Sequence, residues 1–234
     1  MYYDLHIHSA LSPCGDELMT INNIFNMAYI KGLDLIAICD HNSLKQQHYL
    51  DKIIDHEILK GKIDYVHGIE LQSKEMVHIL AYFKKQTPLA PIQTWIDQHL
   101  IKTPNRPDYY GDQVIFDEND NIIDHEENLL LESLDLDVKE IIDAIHSFNG
   151  VAILAHVMAK KFGLYEVYQD IPSNLNYDGI EVTCLRDLKE LKKLCPHVKD
   201  DYVFYNSDAH YLEAINEPIH QIDKEKFYQL WRQS

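Results

Sequence analysis

Histidine and carboxylate residues stand at the ends of several apolar runs in this sequence. The first run closes on His6 and His8, two imidazoles one residue apart. Because side chains alternate across a strand, both imidazoles would lie on the same face and reach the same point. Two imidazoles directed at one point suit a transition-metal ion. A single H-x-H pair also arises by chance, so the pattern gains meaning only if it recurs.

The pattern recurs along the chain. Later apolar runs carry or end on further imidazole and carboxylate groups: Asp40, His41, Glu70, His78, His156, Asp208 and His210. Burying one such group without a partner costs several kcal/mol. Many can be buried together if they satisfy one another by binding metal. The sequence therefore predicts a metal centre.

The elements that must position these residues alternate between strand and helix. Thr20 and Gly32 bracket an amphipathic segment, which predicts a helix over 21–31. Ser43 predicts the start of a second helix, over 44–60. Short apolar runs such as LDLIAIC and VAILAHV predict strands buried on both faces. Alternation of this kind indicates parallel sheet covered by helices, with the carboxyl ends of the strands at one rim.

The length of the chain limits the number of these units. With 234 residues it is short for eight full strand–helix pairs, so a distorted, incomplete barrel fits one domain over 1–234. A doubly wound open sheet is the alternative, but no glycine-rich phosphate loop is present. Residues 84–128 are rich in proline and include QVIFDENDNII, which is typical of a hairpin. We expect this stretch to form a small insertion or flap.

Charge and composition narrow the class of partner. The formal net charge is −17, and a surface this acidic repels phosphate backbones, so we expect no long nucleic-acid partner. A small phosphorylated substrate stays compatible, because bound divalent metals reverse the local charge. No apolar run approaches about 18 residues, and no basic segment precedes an apolar one at the start. We therefore expect a cytoplasmic protein with no membrane partner.

Cysteine usage agrees with that compartment. The four cysteines are widely scattered and form no C-x-x-C pair, so we expect reduced thiols rather than a zinc ribbon or a dithiol redox site. Cys39 lies in an apolar run and is expected in the core. Cys14 lies beside the acidic residues that follow His8, where it could contact a metal.

The ordered motifs resemble those of a known family. DLHIHS, CDHNS, GIE, a histidine in the next strand, AH and SDAH resemble the PHP (polymerase and histidinol phosphatase) family of metal-dependent phosphoesterases. The resemblance runs over nearly the whole chain. It implies an α/β fold, a distorted (β/α)7 TIM-like barrel, with a trinuclear metal site at the C-terminal rim.

The resemblance also implies the ligands of three divalent ions, for which zinc, manganese and iron are all compatible. Glu70 would bridge two of the ions. The third would need an acidic residue where relatives often have S-D-G; this chain has SPCGDE, so Asp16 is expected and Glu17 is the alternative. The full implied ligand set is His6, His8, Asp16, His41, Glu70, His78, His156, Asp208 and His210.

A hydrolase acting on phosphate esters follows from such a site. Metal ions a few ångströms apart would activate a bridging hydroxide to attack the phosphomonoester of a small metabolite or nucleotide. Asp208, His210 and Glu70 would be the catalytic residues, the first two by accepting or relaying a proton. Arg106 and Arg186 are expected to bind the substrate phosphate, because a guanidinium donates two parallel hydrogen bonds.

Other functions are compatible with the same residues. One is a 3′–5′ exonuclease that trims short oligonucleotides. Another is a regulatory module that keeps metal without turnover, although no ligand position is degraded. An amidohydrolase is a further alternative, but the carboxylated lysine usual in that class has no evident place here.

Overall fold

The computed structural model describes residues 1–55 and 58–233. The strands are β1 Tyr3–Ile7, β2 Leu35–Ile38, β3 Asp64–Tyr65, β4 His67–Gln72, β5 His78–Phe83, β6 Val114–Phe116, β7 Ile122–His125, β8 Val151–Leu154, β9 Gly179–Glu181 and β10 Val203–Phe204. The α-helices are α1 Ile21–Lys31, α2 Leu50–Ile54, α3 Leu89–His99, α4 Pro107–Tyr110, α5 Val138–Ser147, α6 Leu164–Tyr168, α7 Leu185–Leu194 and α8 Lys224–Gln233. Two 3₁₀ helices cover Lys45–Tyr49 and Leu212–Ala214.

The strands belong to a mixed α/β fold. In the described ranges they form a three-stranded sheet ordered β1-β2-β3, a five-stranded sheet ordered β10-β9-β8-β5-β4 and the β6–β7 hairpin. The two larger sheets meet at single bridges, Ile7 with Ala209 and His41 with Glu70. Continuous strand pairing therefore does not close a barrel within these ranges.

Strand direction departs from the expectation at one place. The pairs β1–β2, β2–β3, β8–β9 and β9–β10 are parallel, as expected. Strand β5 instead runs antiparallel to both β4 and β8. Only residues 73–77 connect β4 to β5, and a connection this short cannot cross over to a parallel strand, which needs a dozen or more residues.

Helix α1 forms as its sequence predicts. The Thr20 side chain accepts the Asn23 backbone N–H, and Gly32 ends the helix in the left-handed region at φ 82°. Ile24 and Phe25 are fully buried.

The predicted helix over 44–60 is shorter and irregular. Its first part is the 3₁₀ helix, followed by α2, which ends at Ile54; residues 56 and 57 lie outside the described ranges. The Gln46 side chain bonds the backbone of Phe116 in both directions, and Gln47 donates to the Ile38 carbonyl. These buried tertiary bonds fix the geometry of the first turns.

The stretch 84–128 folds over the segment that follows β1. It contains α3, α4 and the predicted hairpin. The Val114 N–H donates to the Ala10 carbonyl, and Ala10, Val114 and Phe116 form a small apolar cluster. The hairpin thereby covers one side of the loop that carries Cys14.

The core supports the strands on both faces. One cluster unites side chains from both large sheets, among them Leu5, Ala37, Leu80 and Phe204. Other clusters lie beneath the helices, for example around Phe25 of α1. No described helix has the length and apolar character that crossing a bilayer needs.

Candidate metal centre

Glu70, at the carboxyl-terminal half of β4, lies at the centre of a cluster of imidazoles. The side chain is 1 % exposed. Its Oε1 lies 2.8 Å from His78 Nδ1, 3.1 Å from His156 Nε2 and 3.3 Å from His6 Nε2. Its Oε2 lies 3.1 Å from His41 Nδ1 and 3.5 Å from His8 Nε2. One carboxylate thus contacts five histidines from four separate segments of the chain.

His6 and His8 meet as the strand pattern predicts. Their Nε2 atoms lie 3.1 Å apart. Asp208 Oδ1 lies 3.1 Å from His8 Nε2 and 3.4 Å from His6 Nε2. Asp208 adopts a left-handed conformation at φ 52°, which is uncommon for residues other than glycine.

Hydrogen bonds on the outer side fix the orientation of this pair. His6 Nδ1 lies 3.1 and 3.2 Å from the two oxygens of Glu181, so it donates to that carboxylate. His8 Nδ1 lies 3.0 Å from Ser12 Oγ, which donates to Asp40 Oδ1 at 2.8 Å. Each ring therefore carries a proton on Nδ1 and turns its Nε2 toward the cluster.

Two further rings are oriented in the same way. His78 Nε2 donates to Gln72 Oε1 at 2.8 Å, and the Gln72 amide donates to Ser133 Oγ, so the amide oxygen must face the imidazole. His210 Nδ1 donates to the Asp208 carbonyl at 2.7 Å. His78 thus presents a lone pair on Nδ1, and His210 presents one on Nε2.

This arrangement fits divalent metal. Imidazole nitrogens and carboxylate oxygens converge on one region, and a cation can satisfy several of them at once. On His156 the nitrogen that faces Glu70 is Nε2, and the buried Nδ1 lacks a hydrogen-bond partner in the described part of the chain. Donor atoms of His6, His8 and Glu70 all lie within 4.8 Å of one another, and so do those of His41, Glu70 and His78.

The electrostatics favour positive charge at the centre. Burial raises the pKa of Glu70, but His78 and His6 outweigh it and hold that pKa well below the usual range. Burial also raises the pKa of Asp208, but His6 and His8 outweigh it and hold that pKa well below the usual range. Both carboxylates are therefore ionised at neutral pH.

The pKa values of the two histidines of the H-x-H pair shift in opposite directions. Burial lowers the pKa of His8 to about 3, so this ring is neutral. Burial also lowers the pKa of His6, but Glu181, Asp208 and Glu70 together raise it well above the usual range. The cluster thus attracts a positive charge, either a proton on His6 or a metal ion.

A second group of donors adjoins the first. Ligand atoms of His8, Cys14, His41 and His210 all lie within 4.8 Å of one another. The rings of His8 and His210 are stacked, with centroids 4.4 Å apart. Burial raises the pKa of the Cys14 thiol, but hydrogen bonds with His210 and His41 lower it to about 7.

The acidic residue expected at the third site lies elsewhere. Asp16 is exposed, and its Oδ1 accepts the Leu18 N–H at 2.9 Å; only its backbone contacts the site, through the His210 carbonyl. Glu17 is exposed as well. The turn after Ser12 directs Cys14, rather than either acid, to His41 and His210.

The two expected phosphate-binding arginines also lie away from the cluster. Arg106 is exposed and stacks over the rings of Tyr109 and Tyr110, with centroids 4.9 and 5.5 Å away. Arg186 is 88 % exposed beside Asp187. Their type suggested phosphate binding, but their positions in the fold turn them to solvent.

A cavity of about 520 Å³ opens above the cluster. Its lining includes His41, Glu70, His78, His156, Asp208 and His210 on one side and Phe162, Val182 and Thr183 on another. Within the described ranges, Lys161 is the one lysine or arginine that lines it. A cavity of this size accommodates a small molecule.

Sequence reasoning missed Glu181. This carboxylate, 3 % exposed, bonds His6, the His156 backbone N–H at 2.9 Å and Asn206 Nδ2 at 2.6 Å. A signal for it exists, because the tripeptide G-I-E that ends on Glu70 in β4 recurs as Gly179–Glu181 in β9.

Comparison by sequence finds no matching family model and no matching curated protein. Solved structures nevertheless share the fold. A lesion-specific endonuclease from Pyrococcus furiosus superposes with a TM-score of 0.64 at 20 % identity, covering 97 % of this chain and 54 % of that one. Endonuclease Q in complex with a 27-mer duplex substrate that has an abasic lesion at the active site gives 0.60 at 18 % identity, with 99 % and 56 % covered.

A third structure is close in length to this chain. This structure is of a proposed metal-dependent phosphoesterase from Bifidobacterium adolescentis. It superposes with a TM-score of 0.61 at 16 % identity, covering 97 % of this chain and 94 % of that one. The chain spans about half the length of the two endonuclease chains and nearly all of the third. At these identities the shared property is the fold, and the chain has the fold of these three proteins.

Proposed function

We propose that the protein is a PHP-type, metal-dependent phosphoesterase that hydrolyses phosphomonoesters of small metabolites or nucleotides. The observation that carries this proposal is a set of imidazoles that each form an outward hydrogen bond through one ring nitrogen and turn the other nitrogen toward the cluster around Glu70, beneath an open cavity. The ordered motifs and the shared fold support it. The two large sheets, joined at their edges by single bridges, would be the family's distorted seven-stranded barrel.

We propose three ions, by the ligand assignment that the family resemblance implies. His6, His8, Glu70 and Asp208 would hold one, and Glu70, His78 and His156 a second. His41 and His210 would contribute to a third. Divalent ions held here would polarise the phosphoryl group and lower the pKa of a water molecule.

The chain's own residues would bind the substrate and move protons. Asp208, whose side chain is 41 % exposed, borders the cavity as a carboxylate and can accept a proton from water. The leaving alcohol would take up that proton from Asp208, while His210, held through Nδ1–H by the Asp208 carbonyl, would keep Nε2 for the third ion. Overall, water and the phosphate ester become alcohol and inorganic phosphate.

The cavity supports a small anionic substrate. Lys161 supplies a positive charge at its edge, and Phe162, Val182 and Leu131 add an apolar wall. Phe162 stacks on His78 with the ring planes 5° apart and the centroids at 4.3 Å, which places an aromatic face beside the metal ligands. A phosphate with an apolar or aromatic group attached would match both features.

Hydrolysis of a generic aryl phosphate tests the proposal. We expect protein loaded with Mn²⁺ or Zn²⁺ to hydrolyse p-nitrophenyl phosphate, and His8→Ala to lose this activity. His48→Ala is the matched control, because His48 is exposed and lies outside the cluster. Equal rates in the wild type and His8→Ala would overturn the proposal.

Cleavage of nucleic acid is the second candidate, and the shared fold with two endonuclease structures favours considering it. The net charge of −17 disfavours long polymers, whereas oligonucleotides of a few residues would be repelled less. A labelled oligonucleotide ladder, incubated with each metal, separates the two candidates. Shortening of the oligonucleotides without hydrolysis of p-nitrophenyl phosphate would favour the nuclease. Metal binding without either reaction would favour a regulatory module.

A further inference from the structure

The group formed by Cys14, His41 and His210 has a composition unlike the rest of the centre. Elsewhere the cluster combines imidazoles with carboxylates, but here the third donor is a thiol sulfur. The ligand atoms of these three residues lie within 4.8 Å of one another, and all three residues line the cavity. The carboxylates of Asp16 and Glu17 take no part.

The loop that carries Cys14 is held in place by its backbone. The Ser12 N–H donates to the Ser9 carbonyl, the Gly15 N–H donates to the Ser12 carbonyl, and the Asp16 N–H donates to the His210 carbonyl at 2.8 Å. A Cβ at Gly15 would lie 2.4 Å from the Ser9 carbonyl oxygen, so the tight turn requires glycine.

The stretch 84–128 packs against the same loop. Gly111, at φ 100°, approaches so closely that a Cβ there would lie 2.4 Å from the Pro13 carbonyl oxygen. Cys14 therefore stands on a segment fixed from both sides, and its position beside His41 and His210 is determined by the fold.

We propose that Cys14 binds metal as a thiolate together with His41 and His210, forming a zinc-selective site in place of the carboxylate-containing site that the sequence resemblance implies. A soft thiolate with two imidazoles favours zinc over manganese. One sulfur and two nitrogen donors would match the number of protein ligands in catalytic zinc sites, which bind water as a fourth ligand. This inference rests on the proposed metal centre and deepens it, and it does not require hydrolysis to be detected.

Cobalt substitution provides a direct test, because thiolate-bound Co²⁺ shows a charge-transfer absorption in the near ultraviolet. Metal-stripped full-length protein is titrated with Co²⁺, and the same titration is performed on Cys14→Ser, Cys14→Asp and Cys184→Ser. We expect the band in the wild type and in Cys184→Ser, and its loss in both Cys14 variants. Cys184 is a suitable control because it is a partly exposed free thiol outside the cluster.

Two further readouts do not depend on spectroscopy. Zn²⁺ should slow the alkylation of Cys14 by iodoacetamide by about tenfold or more, because a coordinated thiolate is a poor nucleophile. Peptide mass spectrometry measures the rate of this alkylation. The Cys14→Asp variant should lower the ratio of Zn²⁺ to Mn²⁺ affinity by about tenfold, because a hard oxygen replaces a soft sulfur.

The outcomes distinguish this inference from the proposed function. Co²⁺ binding without the thiolate band, together with alkylation of Cys14 at the same rate with and without Zn²⁺, would overturn the inference even if phosphate esters are hydrolysed. The band without hydrolysis would uphold the inference and count against the proposed function. Absence of metal binding would overturn both.

Discussion

Glu181 shows how one buried carboxylate orients a histidine that we propose as a metal ligand. Among the residues that the structure describes, the partners of its carboxylate are all N–H groups, on His6, His156 and Asn206. Burial raises its pKa, but His6 outweighs that effect and lowers it, so Glu181 remains ionised. Its charge keeps the His6 proton on Nδ1, which leaves Nε2 free to bind metal.

Replacing Glu181 by glutamine tests this positioning role. The amide keeps the shape but removes the charge, so we expect a loss of zinc affinity of about 10- to 100-fold. Competition with a fluorescent zinc chelator measures it, and Glu166→Gln, an exposed change in α6, is the control. Unchanged affinity in Glu181→Gln would show that His6 does not depend on this carboxylate.

Lys161 and Lys160 form a matched pair for substrate binding. Lys161 lines the cavity, whereas its neighbour Lys160 is exposed outside it. We expect Lys161→Ala to raise KM for a phosphomonoester by about tenfold with little change in kcat, because a charge-assisted hydrogen bond to phosphate is lost. Steady-state kinetics on both variants measure this, and equal KM values would remove Lys161 from the substrate site.

At the residue scale, the sequence indicates which side chains lie together where their spacing matches the alternation of a strand. His6 and His8 were placed together by strand alternation, and the structure does bring them together. Asp16, Arg106 and Arg186 were selected by chemical type alone, and the structure brings none of them into the cluster. Which side chain of a loop points inward depends on turn geometry, which residue type does not determine.

At the scale of elements, a polar pair ties the last turn of α5 to the sheet. His146 Nε2 lies 2.8 Å from Asp178 Oδ2, which also accepts the Ala152 N–H at 2.7 Å. The hydrogen bond with Asp178 raises the pKa of His146, although partial burial opposes it. The pair thus links the last turn of α5 to the residue before β9 and to β8.

This pair predicts a pH-dependent contribution to stability. Because the folded-state pKa of His146 is raised, its contribution is fully present below the ordinary histidine pKa and is lost as the pH rises through the raised value. We expect His146→Gln to lower the free energy of unfolding by about 1–2 kcal/mol near pH 5, and by less near pH 9. Urea unfolding of metal-free protein at both pH values measures this difference.

The control for this pH effect is His125→Gln, a change at an exposed position on β7. It should leave the free energy of unfolding nearly unchanged at both pH values. A deficit in His146→Gln that is the same at both pH values would contradict the assignment of the charged pair.

The elements were predictable where local signals are strong. Thr20 and Gly32 define α1, and the capping box of Asp137 and Glu140 starts α5. The helix predicted over 44–60 is shorter and starts as a 3₁₀ helix, because buried bonds from Gln46 and Gln47 to distant backbone determine its first turns. Such bonds form between segments far apart in the chain, so local periodicity does not reveal them.

At the scale of the whole molecule, metal binding and folding should be linked. The clustered carboxylates and imidazoles belong to the folded state alone, so a metal that binds them stabilises that state by mass action. At a free metal concentration about one hundred times Kd, the gain is about 2.7 kcal/mol for one site. A chain of 234 residues should then melt several degrees higher.

Thermal unfolding with and without Zn²⁺ tests this linkage. We expect Zn²⁺ to raise Tm, EDTA to reverse the increase, and His8→Ala to reduce it. His48→Ala should respond as the wild type does. A Tm that is independent of metal in the wild type would contradict the linkage.

The identity of the substrate is also a property of the whole molecule. The cavity is lined by segments as distant as Cys14, Leu131, Phe162 and Thr183, and no one of them defines its shape. The sequence predicts the metal ligands because strand ends converge in a simple manner. It does not predict the substrate because the shape of the cavity depends on how the loops pack against one another.

The central claim is that Glu70 and the surrounding histidines bind metal. A crystal grown with Zn²⁺ and measured at the zinc absorption edge tests it most directly, because anomalous scattering locates the ions without reference to activity. We expect anomalous peaks within bonding distance of Glu70 and of His6 and His8 Nε2. A fully zinc-soaked crystal with no anomalous peak among these side chains would contradict the account.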